Sequence, residues 1–293
     1  MFRPLPSLSV ALLLLASCAP AASTAPARPA LWSFSDADTT VYLFGTIHVL
    51  PEGVDWDHGK VGQALASADR LVLEVTDPAG QDGIRRTFDA LAVSPGLPPI
   101  ADRVAPQHRA ALAAMIAKGG IPRATLDRME TWAAALTLVA SLYPQIGVSA
   151  EDGVETRLVE RFTDAGKPVA GLETAAEQLG YFDRLPEAAQ RTFLDGIVTD
   201  HDDAGAQFDT MVAAWRKGDV RQLALTANDE SGLSPELADA LKRQRNANWV
   251  VRLAHELDRP GTVLVAVGAA HLAGRDSVQD MLEARGIRVK RVQ

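Results

Sequence analysis

Two histidines occur in the same local setting. Gly45-Thr46-Ile47-His48 directly follows the β-rich run 40–44, and Gly268-Ala269-Ala270-His271 directly follows the apolar run 262–267. In an open α/β sheet the carboxyl ends of the strands are where ligands bind. A glycine at such an end lets the backbone turn tightly, so the third residue on can project back over the sheet edge. One Gly-x-x-His carries almost no information; two at equivalent strand ends are more informative, because imidazoles delivered in this way could share a site. The other four histidines, His58, His108, His201 and His255, fall in polar or helical contexts and are expected to face solvent.

Two glutamates share the same kind of position. Glu74 lies inside the apolar run 71–75, and Glu173 ends the run 169–172. A buried ionised carboxylate is costly unless it is paired or coordinates a metal. Both readings stand at this point: a salt bridge to an arginine such as Arg70 or Arg245, or a place in a metal site. Histidine and carboxylate donors without thiolate suit Zn, Mn or Co, and a site with an open position activates water at neutral pH. A glutamate not bound to metal could act as general base.

The elements that must position these residues follow from the pattern. Runs at 40–43, 71–75, 168–172 and 262–267 predict strands buried on both faces, as in a largely parallel sheet covered by helices. Helical spacing is seen over 106–118, 125–141, 246–256 and 276–284, and 287–292 alternates like an edge strand. The fold class is therefore α/β: a mixed, largely parallel central sheet flanked by helices, with a helical insertion in the alanine-rich middle. A net charge of −8 disfavours nucleic acid as a partner, and a single cysteine excludes a disulfide scaffold.

That cysteine, Cys18, ends a segment with one cation at Arg3, an apolar run at 10–15 and then Leu15-Ala16-Ser17. This is the layout of a secretory signal, too short to span a bilayer as a mature helix. The stretch resembles a bacterial lipobox, which implies lipid attachment at Cys18; the alternative is an ordinary signal cleaved a few residues later. Residues 1–17 are thus expected as signal and 18–30, rich in Ala, Pro, Ser and Thr, as a flexible tether. Residues 31–293 are expected as the folded domain, at the periplasmic face of the cell envelope. By resemblance to sorted lipoproteins, Ala19 favours the outer membrane, with the lipid as the membrane contact.

Taken in order and spacing, the segment from Tyr42 to Pro51, Gly171-Leu172-Glu173-Thr174 with Glu177-Gln178, Arg245-Asn246, and the segment from Val267 to Gly274 resemble the TraB/GumN family. That family is similar to the Tiki membrane-associated metalloproteases and, more distantly, to the erythromycin-esterase and ChaN-like group. The resemblance implies a divalent metal held by His48, His271 and Glu173, with Glu74 as base or further ligand. It also implies a hydrolase that acts on a peptide or on a small molecule. Arg245 is either an electrophilic helper for an oxyanion or merely neutralises a buried glutamate. Gly153-Val154-Glu155 resembles a Gly-x-acid motif that in relatives usually ends in Asp, so Glu155 is one methylene longer. The competing expectation is a non-catalytic envelope lipoprotein that binds a metal, heme or a small ligand. An aromatic content of 5% leaves few residues to line a porphyrin slot. A third expectation is a regulator of envelope signalling or polymer export that has lost catalysis.

Overall fold

The computed structural model describes residues 26–77, 79–201, 203–228 and 234–293. Strands β1 (Leu31–Ser35), β2 (Thr39–Thr46), β3 (Arg70–Val75), β4 (Val169–Glu173), β5 (Gly261–Gly268) and β6 (Lys290–Arg291) form one sheet in the order β4-β3-β5-β2-β1-β6. The pairs β4-β3, β3-β5 and β5-β2 are parallel, while β1 runs antiparallel to both β2 and β6. The expected α/β class and largely parallel sheet are what the structure contains.

Period-two alternation explains why β5 sits at the centre. Leu264 and Ala266 face one apolar core, and Val263, Val265 and Val267 face the other. Helix α1 (Gly59–Ser67) connects β2 to β3. Between β3 and β4 run α2 (Gly80–Leu91), α3 (Arg109–Gly119), α4 (Arg123–Arg128), α5 (Thr131–Leu142) and α6 (Val154–Asp164). Between β4 and β5 run α7 (Ala175–Asp183), α8 (Glu187–Asp200), α9 (Ala204–Arg216), α10 (Val220–Asn228), α11 (Pro235–Ala238) and α12 (Arg245–His255); α13 (Val278–Glu283) precedes β6. Val61, Leu158 and Trp215 bring α1, α6 and α9 onto one face of the sheet, and Trp249 and Leu282 bring α12 and α13 onto the other. Leu112, Leu138 and Leu194 join α3, α5 and α8 in a separate core, which is the helical insertion.

Three local expectations need correction. The helical run at 125–141 is broken, because Met129 and Glu130 are extended between α4 and α5. The backbone there is committed elsewhere: Arg103 donates to the carbonyls of Pro98 (2.7 Å), Asp127 (2.8 Å) and Met129 (2.6 Å), and Glu130 N–H donates to Ala92 (2.7 Å). The expected helix at 106–118 opens with a 3-10 turn, Pro106–His108, before α3. Of the edge strand expected at 287–292, only Lys290 and Arg291 pair with β1. Strand β1 itself is an addition, and residues 26–30, the end of the stretch read as tether, lie against the domain. Ala27 is buried, and its N–H donates to Asp55 while that of Arg28 donates to Arg216. The signal segment and Cys18 lie outside the described residues.

Arg103 is 2% exposed, so its removal leaves three carbonyls without their donor. Arg103→Ala is expected to lower the unfolding free energy by about 3 kcal/mol, read from urea denaturation. An unchanged midpoint would show that the break between α4 and α5 does not depend on it.

Candidate functional site

Because β2, β3, β4 and β5 are mutually parallel, their carboxyl ends share one edge of the sheet. His48 lies two residues past β2, Glu74 is next to last in β3, Glu173 ends β4, and His271 lies in the 3-10 turn Ala269–Leu272 directly after β5. Arg245 begins α12, immediately after the π-helical turn Asp239–Gln244. Such π turns are frequent at functional sites. The structure thus brings His48, Glu74, Glu173, Arg245 and His271 to one edge of the sheet.

The guanidinium of Arg245 joins the two glutamates. Its Nη2 is 2.6 Å from Glu74 Oε2 and 3.0 Å from Glu173 Oε2, and its Nε donates to both oxygens of Glu173 at 3.2 and 3.0 Å. It lies over the Trp249 ring at 4.6 Å, a cation-π contact. Of the two arginines considered as partners, Arg245 takes this role; Arg70 is 2.9 Å from Glu256.

Arg245 Nη1 is 3.2 Å from His271 Nε2. A guanidinium only donates, so His271 Nε2 accepts, and the ring proton resides on Nδ1, which donates to Asn246 Oδ1 at 2.7 Å. Asn246 is fixed in turn, since its Nδ2 donates to the carbonyls of His271 (3.2 Å) and Asp276 (2.7 Å). Burial, with Arg245 and His48 beside it, holds the His271 pKa down to about 3, so this imidazole is neutral. His48 is its opposite: its side chain is 65% exposed, and Nδ1 lies 2.8 Å from Glu155 Oε1. The Glu155 carboxylate pushes the His48 pKa up to about 9.

Burial is the strongest single influence on Glu74 and pushes its carboxyl up. His271, Arg245, His48 and the Gly268 N–H together outweigh it and hold the pKa at about 2. For Glu173 burial wins over Arg245, and its carboxyl sits above the usual range. Gly268 N–H donates to Glu74 Oε1 at 2.5 Å. A Cβ on Gly268 would meet Glu74 Oε1 at 3.0 Å, His48 Nε2 at 3.7 Å and His271 Cδ2 at 3.7 Å, so the glycine keeps open a small cradle between two imidazoles and a carboxylate. These imidazole and carboxylate donors are of the types that bind cations. Metal–ligand bonds run about 2.0–2.2 Å, and in this geometry no group of three or more His, Cys, Asp or Glu among the described residues is close enough to hold an ion.

Sequence reasoning gave no role to Asn246, Gln178 or Trp249. Gln178 Nε2 donates to Glu74 Oε2 at 3.3 Å, and the Trp249 ring centroid is 4.3 Å from that of His271. Trp249 and Arg245 stand four apart on one helix, the spacing that puts two residues on one face, and that is the signal that could have linked them. The remaining histidines have carboxylate or carbonyl partners: Asp55 for His58, Asp195 for His108, Val198 for His201 and Asp258 for His255.

A largely parallel α/β sheet whose carboxyl edge carries paired Gly-x-x-His turns around a buried Arg–Glu network defines the class of protein. The model of the TraB/PrgY/gumN family matches residues 30–291, and the chain belongs to that family. It is similar to the Escherichia coli (strain K12) protein described as "Uncharacterized protein YbaP", 26% identical over 241 residues that cover 82% of this chain and 87% of that protein. A Shigella flexneri protein of the same description is equally similar. No solved structure matches the chain. No helix among the described residues is long and apolar enough to cross a membrane.

Removing one partner of a buried ion pair leaves an uncompensated charge. Arg245→Met is therefore expected to destabilise the protein at pH 7 by about 3–5 kcal/mol, measured by chemical denaturation. The folded pKa of Glu74 lies below its ordinary 4.5, so its contribution is present above pH 4.5 and is lost as the pH falls towards 2. The gap between wild type and R245M should narrow over that window. Equal stability at pH 7 would sink the assignment.

Proposed function

We propose that this chain is a metal-dependent hydrolase of the cell envelope that acts on peptides. The observation that carries the proposal is the anchoring of two imidazoles through Nδ1, His271 by Asn246 and His48 by Glu155, with His48 Nε2 and Glu74 Oε1 on the Gly268 cradle. Metal-binding histidines characteristically have the other ring nitrogen tied in this way. Charge points the same way: three carboxylates, Glu74, Glu173 and Glu155, stand against the Arg245 guanidinium and a protonated His48, with His271 neutral, and a cation would offset the excess.

The donor types and their orientation fit Zn, Mn or Co. A bound ion would require the side chains to draw in and Arg245 Nη1 to give up its contact with His271 Nε2. Distances favour exchanging the roles expected for the two glutamates. Glu74 Oε1 is 3.8 Å from His271 Nε2 and borders the cradle, since Arg245 holds Glu74 through Oε2 alone, whereas both oxygens of Glu173 are bonded to Arg245. His48, His271 and Glu74 are then the ligands, and a bound ion would supply Lewis acidity towards a carbonyl oxygen.

The chain's own residues do the rest. Glu173 holds Arg245 so that Nη1 faces the same space as His271 Nε2, where it can donate to an oxyanion. Substrate approaches from the His48 side, because Glu74, Glu173, Arg245 and His271 are all buried. An open surface pocket of about 340 Å³, lined by Asp77, Arg86, Thr87, Leu91 and Ala176 just past the ends of β3 and β4, would give a substrate side chain a place to rest.

Metal analysis and peptide hydrolysis by the purified full chain test the proposal. Wild type is expected to bind one divalent ion, and His48→Ala and His271→Ala to lose affinity by more than the roughly 10–100-fold that a second-shell change costs. If both variants bind metal as well as wild type, the shared site is wrong. Metal uptake without cleavage of any peptide or ester library would support the binding-protein reading instead.

A further inference from the structure

The Gly153-Val154-Glu155 segment is built against the first Gly-x-x-His turn, far from it in sequence. Val154 N–H donates to the Ile47 carbonyl at 3.1 Å, and Leu50 and Ser149 exchange two backbone hydrogen bonds of 3.2 Å. A Cβ on residue 153 would lie 2.0 Å from the His48 carbonyl oxygen, so only glycine allows so close an approach. This contact sets the start of α6 beside His48. Glu155 is the second residue of that helix, where a carboxylate is favoured by the helix dipole. Its Oε1 accepts from Thr46 Oγ1 at 2.5 Å and from His48 Nδ1 at 2.8 Å. Oε2 is buried and has no partner among the described residues, so the carboxylate is committed through one oxygen to the imidazole turn.

We propose that Glu155 is a positioning residue: it holds the His48 proton on Nδ1 and so presents the Nε2 lone pair to the Gly268 cradle. Thr46 fixes the carboxylate rotamer by donating to the same oxygen. This deepens the metal-hydrolase reading and rests on it for its effect on activity, but the orientation of the ring can be read independently.

The test compares wild type with Glu155→Gln, which keeps an acceptor oxygen, and Glu155→Ala, which removes it. Should E155A fail to fold, Glu155→Met retains the bulk without the acceptor. Nitrogen NMR of the imidazole, recorded at a pH where the ring is neutral, should show His48 protonated on Nδ1 in wild type and E155Q. In E155A the proton should move to Nε2, the tautomer that a free histidine side chain prefers. Calorimetry with zinc or manganese alone should show affinity lowered roughly 10–100-fold in E155A and within about threefold of wild type in E155Q, since its acceptor remains. An unchanged tautomer in E155A overturns the proposal, as does E155Q impaired as severely as E155A. A wild type that binds no ion removes the hydrolase reading, while the tautomer still decides the role of Glu155.

Discussion

The guanidinium of Arg245 is the constraint on which the edge of the sheet depends. Strands β3 and β4 are neighbours, and each brings a buried carboxylate to the same end, with Val75 opposite Glu173. Two such charges in an apolar setting cannot both persist without a cation between them. Arg245 meets the requirement, and in doing so it ties the start of α12 to the carboxyl ends of both strands. The adjacent residue, Asn246, then orients His271, and Trp249 one turn further on lies under both the guanidinium and the imidazole. One helix start therefore sets the position of a cation, a carboxylate pair and a neutral histidine.

The two Gly-x-x-His turns are alike in sequence and unlike in environment. His271 is enclosed and borders a guanidinium, so its charged form is disfavoured twice over, whereas His48 is open to solvent and bonded to a carboxylate. The result is a site with one buried, rigid wall and one accessible wall. That asymmetry suits a ligand that must enter from solvent and meet fixed groups on its far side.

The helical insertion contributes at a distance. Trp132 of α5 packs with Phe88 and Leu91 of α2 and with Leu179 and Phe182 of α7, which places α2 against α7, and the pocket lined by both adjoins the ends of β3 and β4. The buried Arg103 keeps α4 and α5 apart by taking up carbonyls that a continuous helix would have used. The same physics as at Arg245 operates here, with backbone dipoles in place of carboxylates.

The sequence alone determined the strands that carry the site, because uninterrupted apolar runs such as 262–267 have no stable place except between two helical layers. It determined the donor types as well, since glutamates in or ending apolar runs demand a partner and paired strand-end histidines imply a common one. It did not reveal β1, whose Leu-Trp-Ser-Phe-Ser run becomes a strand only by pairing with β2 and β6. Nor did it show the break at Met129, where helical periodicity continues but the backbone is held by Arg103. Above all it left open whether Glu74 and Glu173 meet a cationic side chain or a metal. Only the tertiary structure put Arg245 against both, across 171 and 72 residues of chain. Such contacts follow from the strand order β4-β3-β5-β2 and from where α12 begins over it, and no local pattern of residues encodes either.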